Sequence, residues 1–265
     1  MKTIFITGST DGIGKLTAIK LAKFGHSIYI HGRNPEKLLR TVTEIKEITN
    51  NENIIGFVGD FSDFNSVREM TSKIKQEVSK IDVLINNAGI FKSPATHNKD
   101  GIDIRFAVNY LAPFLLTEEL ITLLKKSTAP RIINLSSAAQ SVVSLDALLG
   151  KSHLSEQEAY AQSKLALTMW TTKLAKEYNN VNIIAVNPGS LLNTKMVKEA
   201  YGNHWSSAEK GVDILFDLAT SDKYSNDSGK YFDNDKGFFS KAHGDAYDQN
   251  KIDQLISITN SMLAK

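Results

Sequence analysis

The sequence predicts one α/β domain, a doubly wound parallel sheet of about seven strands flanked by helices. Three observations carry that prediction. Short apolar runs alternate with amphipathic stretches along nearly the whole chain, which implies parallel strands joined by right-handed helical crossovers. The first run, Ile4-Phe5-Ile6, is too short for a helix and reads as a strand buried on both faces. Behind it come three glycines, Gly8, Gly12 and Gly14, and then a helical pattern of Leu16, Ala18, Ile19, Leu21, Ala22 and Phe24 among Lys15, Lys20 and Lys23, ending at Gly25.

This strand, Gly-rich turn and helix form the first unit. Gly8 suits a tight turn, Gly12 leaves the backbone open to a ligand, and Gly14 lets the helix sit close to its strand. Backbone N–H groups of the turn, which also carries Ser9, Thr10 and Ile13, then face a pyrophosphate.

The later elements follow in order. His26 to Ile30 reads as a second strand, and Pro35 opens a helix whose face is Leu38, Leu39, Val42, Ile45 and Ile48. Asn53 to Val58 is a third strand, followed by a helix marked by Phe64, Val67, Met70, Ile74 and Val78. Ile81 to Ile85 is a fourth. A long helix through Phe106, Leu111, Leu116 and Leu124 leads to a fifth strand, Arg131 to Leu135. The helix from Ala159 to Tyr178 precedes a strand at Val181 to Val186. Trp205 to Leu218 reads as a helix, Gly229 to Phe232 as a short strand, and Asp245 to Leu263 as the closing helix. Ligands of such sheets bind beyond the carboxyl ends of the strands.

Composition narrows the function. The 265 residues carry 31 Lys and Arg against 29 Asp and Glu, and a net charge of +2 gives no footprint for nucleic acid or a membrane surface. The absence of cysteine excludes disulfides, thiolate chemistry and Cys-ligated metals. Six histidines are scattered without ligand spacing, so no metal site is expected. The first strand begins within three residues of Met1 and no later apolar run is expected to span a membrane, so the expectation is a cytoplasmic protein.

Two Tyr-x-x-x-Lys matches occur, Tyr160 with Lys164 and Tyr247 with Lys251. The first lies downstream of Asn134-Leu135-Ser136-Ser137 at a strand end, whereas the second sits in a polar stretch without such a partner. Residues four apart on a helix share a face, so the Lys164 ammonium can approach the Tyr160 phenol. A free phenol has a pKa of about 10, and a nearby cation favours its phenolate.

Thr7-Gly8-x-x-x-Gly12-Ile13-Gly14, Asn86-Asn87-Ala88-Gly89 and Tyr160-x-x-x-Lys164 together resemble the short-chain dehydrogenase/reductase family. The resemblance covers Thr7 to Thr194 and implies a Rossmann-type fold, a nicotinamide dinucleotide and a hydride transfer. It implies Tyr160 as general acid/base, Lys164 as its tuning cation and nicotinamide-ribose contact, and Ser137 as hydrogen-bond donor to the substrate oxygen. Asn109 matches the fourth catalytic residue. Pro113 removes the helical hydrogen bond to the Asn109 carbonyl, and in the family that carbonyl holds a water on a proton path to solvent. For the cofactor it implies contacts from Gly8, Ser9, Thr10, Gly12, Ile13 and Gly14, from Asp60 and Phe61 at the adenine, and from Asn87, Ala88 and Gly89 at the adenosine. Pro188 and Gly189 would lie beside the nicotinamide, with Thr194 at its carboxamide or at the diphosphate. At the end of the second strand, His31-Gly32-Arg33-Asn34 offers no acid for a ribose 2′-hydroxyl, while Arg33 offers a fixed charged fork, so NADP(H) is expected over NAD(H).

Gly229-Lys230-Tyr231-Phe232 and the closing helix resemble the retinol-dehydrogenase-like branch, and the membrane anchor typical of many of its members is not expected. An insertion at about 140–158 and a lid at about 190–208 are expected to shape the substrate pocket. Leu145, Leu148, Leu149, Phe91, Leu192, Met196, Tyr201 and Trp205 would give it an apolar wall for a small lipophilic or aromatic carbonyl compound or alcohol. The helix bearing Tyr160 is apolar around more than one face and wants a second cover. A homodimer or homotetramer is expected, or a monomer if the insertion covers that face. A non-catalytic dinucleotide-sensing regulator, or an epimerase or dehydratase of the extended relatives, are the alternative readings. The four catalytic groups and the glycine spacing favour the oxidoreductase.

Overall fold

The computed structural model describes residues 1–264, with the backbone alone at Tyr201. Strands β1 (Thr3–Ile6), β2 (Ser27–Gly32), β3 (Ile54–Val58), β4 (Val83–Asn86), β5 (Arg131–Leu135), β6 (Asn182–Asn187) and β7 (Tyr231–Asp233) are parallel. The sheet order is β3-β2-β1-β4-β5-β6-β7-β8, with β8 (Phe238–Ser240) antiparallel to β7. The sheet therefore has eight strands instead of about seven. Three residues after a tight turn carry too little periodicity to announce β8 in advance.

Strand order reverses between β1 and β4, and the crevice above that switch point is where such sheets bind ligands. The strands there are continuous apolar runs because both faces are covered. On one face, α1 (Gly12–Lys23), α2 (Pro35–Thr49) and α9 (Ala208–Thr220) bury Leu21, Ile45 and Leu215 against Ile6, Ile85 and Ile133. On the other, α3 (Phe64–Glu77), α5 (Ala112–Leu124), α7 (Glu156–Glu177) and α10 (Gln249–Leu263) pack on Phe5, Leu84 and Ile132.

The helix starts are written locally. Asp11, Asn34 and Asp63 cap α1, α2 and α3, and α7 opens on a capping box made by Ser155 and Glu158. The closing helix begins at Gln249, after a 3-10 turn at Gly244–Tyr247, which is later than its apolar pattern suggests. That break separates the second Tyr-x-x-x-Lys pair: Tyr247 Oη accepts from Ala242 N at 3.0 Å and Lys251 pairs with Asp245 at 2.8 Å.

α4 (Ile104–Phe106) runs through a π-helical turn, Ala107–Leu111, into α5. The wide turn, in which Ala112 N–H reaches the Ala107 carbonyl, precedes Pro113 and accommodates its missing donor without ending the helix. Contrary to the sequence reading, Ile104–Leu124 is long and apolar enough to cross a membrane, yet 83% of that window is buried inside the fold, as in a core helix.

Helix α7 finds its second cover within the chain. Leu165, Leu167, Met169, Trp170 and Leu174 are all buried, and α10 lies alongside, tied by Lys173 to Asp253 and Lys176 to Gln249. α10 adds Ile252, Leu255 and Leu263 to the same core, and its Thr259 hydroxyl meets Tyr110 at 2.7 Å. The C-terminal helix supplies cover that the sequence reading did not name, and the expected insertion adds Ala147 and Leu148 to the same core, with Ser144 N donating to Gln162 Oε1. Leu255 is fully buried, so Leu255→Ala lowers the unfolding free energy by about 3 kcal/mol in urea titrations. A loss below about 1 kcal/mol contradicts this packing.

Candidate active site

The Gly-rich turn is held against the end of β4. Gly8 is left-handed, with φ 61°, and a Cβ there would strike Ala88 Cα at 2.7 Å. A Cβ on Gly14 would lie 2.3 Å from Asn87 Nδ2 and 2.6 Å from the Gly8 carbonyl, so helix and strand can approach this closely only over glycine. Thr7 Oγ1 accepts from Asn87 N and Ala88 N, and Asn87 Nδ2 donates to the Thr7 and Gly8 carbonyls. Across from Gly12 stands Thr194, the cap of α8 (Lys195–Tyr201), 3.8 Å from where a Gly12 side chain would begin. A dinucleotide fits these residues: open backbone, a helix start and no side chain at Gly12.

Several named residues act there through the fold. Ser9 is buried, its hydroxyl donating to Ile6 O and accepting from His31 N, so only its backbone can face a ligand. Asn34 caps α2 through Lys37 N, Asn87 is engaged as above, and Asp60 Oδ1 accepts from Ser62 N and Oγ. Phe61 stacks on His31 at 4.3 Å. Arg33, in contrast, is exposed at the end of β2. Lys37 stands nearby, paired with Asp11 at 2.7 Å, and its ammonium holds the Asp11 carboxyl below the usual range.

Three of the candidate catalytic residues, Asn109, Tyr160 and Lys164, converge where β4 and β5 end, and Ser137 follows β5 two residues after Leu135, whose carbonyl receives Lys164. Tyr160 is half-buried on α7, with its ring 4.9 Å from that of Phe91. Lys164 Nζ lies 5.6 Å from the centre of the Tyr160 ring and donates to the Leu135 carbonyl at 2.8 Å. Burial lowers the Lys164 pKa to about 8, which leaves the ammonium mainly charged at neutral pH. Gly89 sits between Lys164 and Asn109, since a Cβ there would be 3.4 Å from both Lys164 Nζ and Asn109 Oδ1.

Asn109 is fully buried. Its amide brackets Ile90, accepting from the N–H at 2.8 Å and donating to the carbonyl at 3.0 Å, and also donates to Ser163 Oγ. It thereby joins the β4 end to α7 between Tyr160 and Lys164. The two serines after β5 separate clearly. Ser136 is buried and bonded to Lys164 O and Thr168 Oγ1, whereas Ser137 is half-buried and its Oγ accepts from Ala139 N at 3.1 Å. That leaves the Ser137 hydroxyl hydrogen to donate elsewhere.

Sequence reasoning missed three supporting residues. His31 is buried and neutral, its pKa pushed down to about 4 by burial; Nδ1 accepts from Gly8 N while Nε2 bonds the Gly59 carbonyl, which assigns the tautomer. Arg105 is buried within α4, joined to the Phe91 carbonyl, Asp103 and Glu156. Tyr231 on β7 donates to the Ser137 carbonyl at 3.0 Å. Only a charge inside an apolar helix, as with Arg105, could have flagged any of them.

Of the residues expected in an apolar wall, Phe91, Leu192 and, on α6 (Leu145–Leu148), Leu148 are buried, Leu145, Leu149 and Met196 are half-buried, and Trp205 is exposed; the Tyr201 side chain lies outside the described residues. Residues between 147 and 156, in the segment expected as an insertion, help line a cavity of about 280 Å³ that is mixed in character, with His97, Arg105, His153 and Glu156 beside Phe106 and Leu154.

Residues 2–204 match the family model for short chain dehydrogenases. The chain is 34% identical over 252 residues to retinol dehydrogenase 13 of Homo sapiens, covering 88% of this chain and 76% of that protein. It is 38% identical over 210 residues to polyprenol dehydrogenase of Homo sapiens, covering 76% of this chain and 63% of that protein. A short chain dehydrogenase from Shigella flexneri, solved with NADP, superposes with a TM-score of 0.70 at 26% identity over 88% of this chain and 97% of that one. With this sheet, this glycine turn and these relatives, the chain belongs to the short-chain dehydrogenase family of oxidoreductases, in its retinol-dehydrogenase-like branch.

Proposed function

We propose that the chain is an NADP(H)-dependent oxidoreductase acting on a carbonyl or alcohol carbon of a small lipophilic or aromatic substrate, with Tyr160 as general acid/base. The observation that carries this reading is the Lys164 ammonium, buried beside the Tyr160 ring where β5 ends, with the Ser137 hydroxyl on the same strand end. The dinucleotide supplies or accepts the hydride. Gly8, Thr10, Gly12, Ile13 and Gly14 would hold its diphosphate, and Arg33 its 2′-phosphate. Support for the phosphate comes from a β2 end that lacks an acid and from the structural relative solved with NADP. Two relatives named for lipophilic alcohols support the substrate class.

In the reducing direction, Tyr160 gives its proton to the substrate oxygen as negative charge develops there. Ser137 donates a hydrogen bond to the same oxygen, and Lys164 stabilises the phenolate left behind. A purely sensing protein has no use for this set. For assembly, the face of α7 that suggested a second copy is covered by α10, and we read the chain as a monomer at that face.

Tyr160→Phe lowers NADPH oxidation by about a thousandfold with para-nitrobenzaldehyde, octanal, retinal and phenanthrenequinone, while NADPH binding followed by fluorescence is retained. Unchanged turnover refutes the assignment. Arg33→Ala weakens NADPH by about tenfold or more but NADH little, since only the former loses a charged hydrogen bond; equal loss removes the case for the phosphate. Burial lowers the Lys164 pKa, so the cation disappears as pH rises through about 8, and the reduction rate falls above that point. Lys164→Arg moves this limb upward, because a guanidinium stays charged. A limb that stays in place has another source.

A further inference from the structure

We propose that Tyr231, together with Gln140, is a positioning residue for Ser137, holding its peptide so that the hydroxyl faces the substrate oxygen. The inference rests on the reading of Ser137 given above. Tyr231 lies on β7, beyond the 2–204 stretch matched by the family model, and reaches back across β6 to the end of β5. Its hydroxyl donates to the Ser137 carbonyl at 3.0 Å, and Gln140 Nε2 donates to the same oxygen at 2.9 Å. Both lone pairs of that carbonyl are then occupied. Gln140 is itself held, its Oε1 accepting from His243 N at 3.1 Å in the segment that leads to α10.

The geometry has a direct consequence for the side chain. Pinning the 137 carbonyl restricts ψ of Ser137 and the following peptide, and the Ser137 Oγ then accepts from Ala139 N two residues on. With that acceptor bond made, the hydroxyl hydrogen is directed away from the loop. Tyr231 is 5% exposed, so a phenylalanine would fill the same space, and packing alone does not require the hydroxyl. Burial and the carboxylates of Asp233 and Asp235 push its phenol well above the ordinary range, which keeps it a donor at all working pH values.

A double-mutant cycle separates positioning from simple stabilisation. Tyr231→Phe, Ser137→Ala and the double variant are compared in single turnovers at high enzyme concentration, with NADPH and para-nitrobenzaldehyde or the panel member reduced fastest. Tyr231→Phe should slow hydride transfer by about tenfold with NADPH affinity unchanged, as expected for one misaligned hydrogen-bond donor. In the Ser137→Ala background the same substitution should change the rate by less than about twofold, while lowering Tm equally in both backgrounds. Gln140→Ala should follow the same pattern. Equal slowing in both backgrounds, or a Tyr231→Phe rate within about twofold of the parent, overturns the proposal. An undiminished rate in Ser137→Ala overturns the assignment of Ser137 itself, and the positioning role with it.

Discussion

The site depends on an ammonium that has been taken out of water. Lys164 is 5% exposed, and the carbonyl of Leu135 is the hydrogen-bond acceptor that receives it. Burying a charge without such a partner would cost several kcal/mol. The contact therefore binds α7 to the end of β5, and the Ser136 bonds to Lys164 O and Thr168 Oγ1 repeat the tie on the next residues. Because the helix is held at this register, Tyr160 one turn earlier lies half-buried against Phe91. The same burial that lowers the Lys164 pKa makes its charge effective, since an ammonium in a poorly screened site acts more strongly on a neighbouring phenol than one in water.

The cofactor cradle follows a related logic. Its rigidity comes from side chains that do not face the ligand: Thr7, Ser9, Asn87 and His31 are occupied in joining the Gly-rich turn to β2, β3 and β4. His31 is the most economical of these, because one neutral imidazole accepts from Gly8 N and donates to Gly59 O, linking the turn to the β3 end where Asp60 and Phe61 follow. Protonation would remove the acceptor, and burial prevents it. What remains open to a ligand is mostly backbone, as the approach of a diphosphate requires.

The part of the chain beyond the family match completes both the core and the site. α10 packs along α7 and buries Ile252, Leu255 and Leu263 in the same core. The β7 to β8 turn works on the other end of the crevice: Asn234 donates to the Pro188 carbonyl, and Asp235 accepts from Ser190 N at 2.8 Å and from Asn187 Nδ2 at 2.9 Å. The segment expected beside the nicotinamide is thus held by side chains that no motif of the first three quarters announces.

The alternation of apolar runs with helical stretches was enough to read a doubly wound sheet, because each buried parallel strand must be continuously apolar and each crossover helix must show a face. Gly8 and Gly14 were legible for a similar reason, since exclusion of a Cβ is a local property, whereas Tyr160 and Lys164 were legible only through their helical spacing combined with the upstream Asn134-Leu135-Ser136-Ser137, which the equally spaced Tyr247 and Lys251 lack. Tertiary structure alone decided which polar groups were already taken. Ser9 and Asn87 have the side chains of ligand contacts, yet the Ser9 hydroxyl accepts from His31 N and the Asn87 amide donates to the Thr7 and Gly8 carbonyls, and nothing local distinguishes a hydroxyl or amide that faces solvent from one engaged by backbone tens of residues away. Likewise the cover of α7, the eighth strand and the reach of Tyr231 to Ser137 depend on which distant elements become neighbours. Apolar periodicity records that a face must be buried, and only the assembled chain determines what buries it.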